Sequence, residues 1–412
     1  MKEILKNKFV ETFSTKPQYL YKAPSRINLI GEHIDYNGGN VLPAAISKYI
    51  YAAISVRDDK KIVISSTEIE GIIETSLDSI SYKKENDWGN YVFGMFKILM
   101  DQGYKIDKGF NILVSSQIPV GSGLSSSAAL LDLICYILND QFNMGLDNKH
   151  VAILAQKCEN EFCGLRCGIM DEASIALGLD NMAMLLDCSK FEYSYHPLNL
   201  GEYRVVVMKT NKPRKLVESK YNERVDECNK ALEILKPKYH INNLCELKSE
   251  YLDDIKMLIN DDVVFRRVRH VITEQERVEE FVEALDNNNI TKLGLLLDAS
   301  HKSLKEDYEV TGVHLDTIVE CAKKFGAIGA RMTGAGFGGC AIAIIKKNEF
   351  ETFKMNVEKA YFKELNIEPE VFLVEIVSGP KKDCSYDLWF NRIFDRLCRF
   401  KRLNFWRWYN LY

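Results

Sequence analysis

Between Arg26 and Tyr36 the chain brings together a permanent cation, an amide, two carboxylates, an imidazole and a phenol: Arg26, Asn28, Glu32, His33, Asp35 and Tyr36. Carboxylates and an imidazole this close in sequence can receive the hydroxyls of a polyol, because each oxygen accepts hydrogen bonds along fixed directions. Arg26 adds a charge that cannot be titrated away, suited to negative charge developing on a reacting group. A solvated surface turn would have the same composition. Zinc is disfavoured, since the seven histidines include no HExxH or comparably spaced pair.

Three further segments carry chemistry. In Pro119-Val-Gly-Ser-Gly-Leu-Ser-Ser-Ser-Ala-Ala-Leu130, glycines let backbone N–H groups approach an anion, and hydroxyls and a helix N-terminus add donors. It is not a Walker A loop, which needs a lysine. A Gly/Ser turn capping a core helix would read the same way. In Cys167-Gly-Ile-Met-Asp-Glu-Ala-Ser174, Asp171 lies among small and apolar residues. It can act as a base if a cation offsets its desolvation, or simply cap a helix. Cys163 and Cys167 lack a second pair at zinc-finger spacing and read as buried thiols. Arg331-Met-Thr-Gly-Ala-Gly-Phe-Gly-Gly-Cys340 implies either tight backbone packing or a loop approaching a ligand.

These segments need elements to position them. Strand-like and helical runs alternate, which predicts a mixed α/β or α+β protein. Tyr49 to Ile64 reads as hairpin material, and Phe110 to Val114 as a strand before the Pro119 turn. Ala128 to Leu138 reads as a buried helix, with Leu130, Leu131, Ile134, Cys135 and Leu138 on one side. The serines at its start suit the N–H groups of a first turn. A boundary is expected near residues 195–205. Beyond it, Lys215–Leu235 and Val263–Leu285 predict long helices, and the Gly334–Gly339 turn leads into a strand over Cys340–Ile345.

Composition narrows the class. The 412 residues are 46% hydrophobic and 27% charged, which predicts a folded chain with material for two cores. A balance of 54 basic against 58 acidic residues gives −4, which argues against a dedicated nucleic-acid binder. No run reaches the ~18 apolar residues of a membrane span, and the charged start MKEILKNKFVETF does not read as a secretory signal. Eleven scattered cysteines suggest reduced thiols in a cytoplasm. Residues 381–412 differ from the body, with ten aromatics and eight Lys/Arg against three Asp/Glu. Asn391–Leu403 would place Arg392, Arg396, Arg399 and Arg402 on one helical face, as in a membrane-surface or partner-binding helix. An extension without function is the favoured reading, because termini often lack constraint.

Taken together, the segments resemble the three signature motifs of the GHMP small-molecule kinase superfamily. Gly31-Glu-His-Ile-Asp-Tyr36, preceded by Pro24-Ser-Arg-Ile-Asn28, is similar to the galactokinase signature. Further galactokinase-like patches are Trp88–Gly94, Ser219–Arg224, Arg266–Val271 and Ser300–Val310, and the likeness runs over about residues 8–380. The resemblance implies two α+β domains with the active site in the cleft between them. The domains would be residues 1–200, binding sugar and phosphate, and 201–380, with 381–412 as an atypical tail.

It also implies an ATP-dependent galactose 1-kinase, with Glu32, His33, Asp35 and Tyr221 around the sugar. Gly121, Ser122, Gly123, Leu124, Ser125, Ser126 and Ser127 would wrap the ATP phosphates, with Ser66 and Trp88 nearer the nucleotide. Ser127 and Glu159 would hold Mg²⁺. Asp171 would be the base for the anomeric hydroxyl, and Arg26 would keep it charged and stabilise the transition state. The sequence does not fix the oligomeric state.

One position departs from the family pattern. Related galactokinases usually carry Gln after the catalytic Asp, whereas this chain has Glu172. A second anion facing the pocket would oppose ionisation of Asp171, so Glu172 is expected to point away or to pair with a cation. An N-acetylgalactosamine 1-kinase shares these motifs, and a catalytically silent galactose sensor shares the fold. Such sensors lose parts of the serine-rich loop, and Ser125-Ser-Ser-Ala-Ala129 is intact.

Overall fold

A computed structural model describes residues 2–119, 122–165, 167–212 and 217–383. The tail helix expected over Asn391–Leu403 lies outside the described residues, as do Gly121 and the start of the helix expected from Lys215. In the first half, α1 (Lys2–Phe13) precedes β1 (Tyr19–Asn28), β2 (Asn40–Val41), β3 (Pro43–Arg57), β4 (Lys61–Ser66) and β5 (Ile72–Ser76). Then follow α2 (Gly89–Asp101), β6 (Gly109–Ser116), α3 (Ser126–Phe142), α4 (Asn148–Lys157), α5 (Met170–Ala176), β7 (Met182–Asp187) and β8 (Glu192–Pro197). The second half opens with β9 (Tyr203–Lys209) and continues with α6 (Val217–Tyr239), α7 (Leu252–Ile259), α8 (Asp262–Asp286), α9 (Ile290–Glu306) and α10 (Gly312–Lys324). It closes with β10 (Gly329–Thr333), β11 (Cys340–Lys346), α11 (Phe350–Leu365), β12 (Glu370–Leu373) and β13 (Lys381–Lys382).

The strands form a six-stranded sheet, β13-β1-β3-β6-β4-β5, a four-stranded sheet, β10-β11-β9-β12, and a small sheet, β2-β7-β8. Helices are segregated from strands along much of the chain, so the architecture is α+β. Apolar faces of α2, α3, α8 and α9 meet the inner faces of the sheets in one continuous core, which includes Phe93, Leu131, Val268 and Leu297. Among them, Leu131 and Ile134 of α3 are fully buried, as its periodicity predicts. On the outer face of the large sheet, Leu5 and Phe9 of α1 pack on Leu20, Ala53 and Leu113.

The hairpin expected over Tyr49–Ile64 is not formed. β3 and β4 are the expected strands, but β6 lies between them, antiparallel to β3 and parallel to β4. Gly109 makes that insertion possible. Its N–H bonds Asp59 O at 2.7 Å, and a Cβ there would collide with the backbone of Lys61. The last strand of the four-stranded sheet, β12, stops at Leu373. From there the chain leaves the four-stranded sheet, bridges Ile46 through Ile376, and adds β13 to the edge of β1.

Two features steer residues into the space between the sheets. The β1–β3 register shifts at Pro24/Ser25. Proline has no N–H for the ladder, so a bulge there is expected, and it re-aims the strand end that carries Arg26 and Asn28. At that end the Thr333 hydroxyl accepts from Asn28 N–H and donates to Asn28 O, each at 3.1 Å, tying β1 to β10.

Candidate active site

Where β1, α5 and the 334–339 turn converge, a cavity of about 430 Å³ opens. That volume falls within the range of small-molecule sites, ~300–1,000 Å³. Arg26, Glu32, His33, Asp35, Glu159, Asp171 and Tyr221 all line it, with Cys167, Asn222 and Ala335 among the other neighbours.

Arg26 and Asp171 share this wall. Arg26 is buried and sends Nε to Asp171 Oδ1 at 2.6 Å and Nη2 to Oδ2 at 2.7 Å. A planar guanidinium meeting a carboxylate in this two-pronged way fixes the orientation of both. Arg26 Nη1 bonds Gly123 O at 3.0 Å, so the cation is also tied to the Gly/Ser loop. Asp171 and the other nearby carboxylates hold the guanidinium above its ordinary range, against the opposing effect of burial. Asp171 is the second residue of α5, and its side chain keeps 31% of its surface exposed on the cavity side.

The serines at the start of α3 do not cap it. Ser125 occupies the capping position in the left-handed region, φ 57°, and makes no side-chain bond to the helix. Its hydroxyl instead donates to Asp171 Oδ2. The Leu124 side chain is in the core, and its carbonyl accepts from Ser25 Oγ at 2.7 Å. Ser122 Oγ accepts from Leu124 N–H at 3.3 Å, Ser126 is exposed and Ser127 is half-buried. None of these serines lines the cavity, and neither does Ser66, whose hydroxyl bonds Glu68 at 3.0 Å at the end of β4. Trp88 precedes α2 and packs against the core. The loop and the 334–339 turn touch: Gly334 has φ 85°, and a Cβ there would lie 3.0 Å from Gly123 O.

Across the cavity from this pair, Glu32 and His33 have partners within the protein. Glu32 Oε1 accepts the Gly334 N–H at 2.7 Å and lies 2.9 Å from Arg331 Nη2. His33 has φ 65°, with Nδ1 2.9 Å from Tyr36 Oη and Nε2 3.2 Å from Ala335 O. Burial pushes His33 down to about 3, so the ring is neutral. A carbonyl can only accept, so Nε2 carries the hydrogen and Nδ1 accepts from Tyr36. Tyr36 then accepts from Tyr308 at 2.8 Å, and Cys228 Sγ lies 3.2 Å from Tyr308 Oη. Asp35 is pushed up to about 7, first by burial and then by the Asp171 and Glu32 carboxylates. Burial raises the Tyr221 phenol well above its usual range. Its ring centroid lies 5.7 Å from that of His33.

Glu159 sits in a short π-helical turn, Cys158–Phe162. Glu172 is fully buried and does not line the cavity. It therefore points away, but it faces the Glu159 carboxyl rather than a cation. Burial and the Glu159 charge push Glu172 well above the ordinary carboxylate range.

Sequence reasoning missed the supports of this site. Buried Glu274 of α8 accepts the Gly31 N–H at 2.9 Å and the Ser300 hydroxyl at 2.7 Å, and its other oxygen takes Arg277 Nε at 2.7 Å. His270, one turn earlier, reaches Glu32 O at 3.1 Å and Ser303 at 2.9 Å. His270 falls in a quoted family patch, but no local pattern signals its partner 238 residues away.

Three family models match the chain: the galactokinase galactose-binding signature over residues 7–56, the GHMP kinases N terminal domain over 90–179, and the GHMP kinases C terminal over 281–363. A galactokinase of Clostridium perfringens strain SM101 is 46% identical over 379 residues, which are 91% of this chain and 98% of that protein. One from Ligilactobacillus salivarius is 45% identical over 383 residues, 92% of this chain and 99% of the relative. The crystal structure of Lactococcus lactis galactokinase complexed with galactose superposes with a TM-score of 0.90 at 42% identity, covering 93% of this chain and all of that one. Methanococcus jannaschii mevalonate kinase matches at TM-score 0.63 and 21% identity, covering 87% of this chain and 98% of its own, a likeness of fold alone. With a two-domain GHMP kinase fold and relatives of this identity over nearly its whole described length, the chain belongs to the galactokinase family.

Proposed function

We propose that the protein transfers the γ-phosphoryl group of ATP to the anomeric hydroxyl of galactose, giving galactose 1-phosphate. The observation that carries this reading is the Arg26–Asp171 pair opening onto one cavity with Glu32, Asp35 and Tyr221. The galactose held by the Lactococcus lactis relative supports the choice of sugar.

The pair does two jobs. Asp171 Oδ2 accepts from both Arg26 and Ser125, whereas Oδ1 accepts from Arg26 alone. Oδ1 therefore has the spare lone pair and is the atom that takes the anomeric proton. The sugar oxygen attacks the γ-phosphorus in line with the departing ADP, and the fixed Arg26 charge offsets the negative charge of that arrangement. Glu32, Asp35 and Tyr221 orient the ring. The neutral His33 holds Ala335, and with it the glycine turn. Gly121 and Ser122–Ser127 take the phosphates, and Ser66 lies toward the nucleotide.

Glu159 borders the cavity, and the buried Glu172 beside it has no cation partner among the described residues. This oxygen-rich wall suits a hard divalent ion. Mg²⁺ held by Ser127 and Glu159 would neutralise charge on the phosphate oxygens when bound. Buried thiols such as Cys135, Cys158 and Cys228 support a reducing, cytoplasmic setting. Among the described residues no helix is long and apolar enough to cross a membrane.

A panel of free hexoses with ATP and Mg²⁺, following ADP release and the position of the new phosphate, tests the reading. Galactose should be turned over at its anomeric oxygen and faster than N-acetylgalactosamine. ADP release with the latter alone would move the assignment to the amino-sugar kinase. Galactose binding without ADP release would indicate a sensor.

A further inference from the structure

Beside the sugar cavity, three oxygen acceptors surround a single thiol. Cys167 Sγ lies 3.7 Å from Glu159 Oε2, 3.8 Å from Glu172 Oε1 and 3.4 Å from Asn160 Oδ1. A thiol carries one proton, and Asn160 Oδ1 already accepts the Cys167 N–H, so the two carboxyls compete for the thiol. Glu172 is fully buried, it faces the Glu159 carboxyl, and its other oxygen receives no N–H or hydroxyl from the other described residues. Among the described residues no lysine, arginine or histidine forms an ion pair with Glu159 or Glu172. The ligand atoms of Glu159, Cys167 and Glu172 all lie within 4.8 Å of one another. With both carboxyls ionised, the cluster converges more acceptors than it has protons to share.

The spacings point to what is missing. In a tetrahedral site with metal–sulfur near 2.3 Å and metal–oxygen near 2.1 Å, sulfur and each oxygen stand roughly 3.6 Å apart. The three sulfur–oxygen distances here, 3.4, 3.7 and 3.8 Å, bracket that value. Mg²⁺ prefers six oxygens, whereas a thiolate ligand selects a softer ion. Supporting bonds hold the ligands in place: Cys167 N–H donates to Asn160 Oδ1 at 3.0 Å, and Gln156 Nε2 donates to Cys167 O at 3.2 Å. Cys167 and Glu159 also line the cavity, which provides an entry path.

We propose that Glu159, Cys167, Glu172 and Asn160 form a binding site for a tetrahedral-preferring divalent transition ion, Zn²⁺ foremost. The site depends on the acid that this chain carries directly after Asp171. Its existence does not depend on the kinase reading. One consequence does: Zn²⁺ takes Glu159 out of the Mg²⁺ ligand set, so it inhibits phosphoryl transfer and excess Mg²⁺ relieves the inhibition.

The test is a Co²⁺ titration of the full chain without sugar or nucleotide. A thiolate-to-cobalt charge-transfer band should grow to a single equivalent and be displaced by Zn²⁺. Cys167→Ser should remove that band, and Glu172→Gln should weaken Co²⁺ binding at least about tenfold. If the wild-type chain shows no such band, or if the band survives in Cys167→Ser, the proposal is overturned and the carboxyls merely share a proton. Should Cys167→Ser fail to fold, wild-type Co²⁺ affinity in Glu172→Gln overturns it equally. A band that behaves as expected, with zinc inhibition insensitive to Mg²⁺, upholds the site and removes Glu159 from the Mg²⁺ set.

Discussion

Asp171 accepts hydrogen bonds on both oxygens before any substrate arrives, so its role can be separated from sugar affinity. Asp171→Asn keeps the shape but cannot take a proton. It should bind galactose in a calorimeter while turnover falls by ~10²–10⁴-fold, the usual contribution of a positioned base. Undiminished turnover would mean that another group is the base. Asp35, titrating near 7, sets a second expectation. Its ionised form is the better acceptor for sugar hydroxyls, so KM for galactose should fall as pH rises through about 7 and stay level in Asp35→Asn. Both acids stood out in the sequence because their motifs are local. Glu274 did not, and Arg331 stood out only as the start of a glycine-rich run, because their contacts join residues 243 and 302 positions apart.

The elements divide along the same line. α3 was legible because burial periodicity is written into consecutive residues, and β6 because its short apolar run is buried along its whole length. The hairpin over Tyr49–Ile64 was misread because a strand's neighbour is chosen by the whole sheet, here by a segment starting at Gly109. That glycine supplies an element-scale test. Gly109→Val would press a side chain onto Lys61 and part β6 from β4, at a cost of about 3 kcal/mol or more. Urea unfolding should register it as a lower midpoint with an unchanged slope. A wild-type midpoint would show that the strands can part without loss. Likewise, the serines before α3 were expected as caps because hydroxyls suit that position. The left-handed backbone at Ser125 turns the hydroxyl to Asp171 instead, which serves chemistry in place of helix stability.

At the scale of the whole molecule, protons and chain path matter more than single contacts. Glu172 is raised in the folded protein above its unfolded range, so the stability it contributes is present at acid pH and lost as pH rises past about 4.5. In the presence of a chelator, Glu172→Gln should therefore gain on the wild type in urea midpoint as pH goes from about 5 to 8. Comparing the two chains cancels the opposite pH dependence of the buried His33 and His270. A gap that does not widen would mean that Glu172 ionises in the folded protein without penalty. Added Zn²⁺ should reverse the order by stabilising the wild type more than the variant.

The return of the chain from Leu373 to β13 makes the first half dependent on residues synthesised after the second half's own strands. Scission at a protease site engineered beside the exposed Gly201 would give two fragments, yet the later one would still lend a strand and the Ile376 bridge to the earlier. The cut protein should run as two bands on a denaturing gel and elute as a single species from a sizing column. Neither fragment expressed alone should be soluble, whereas co-expression should reconstitute the enzyme.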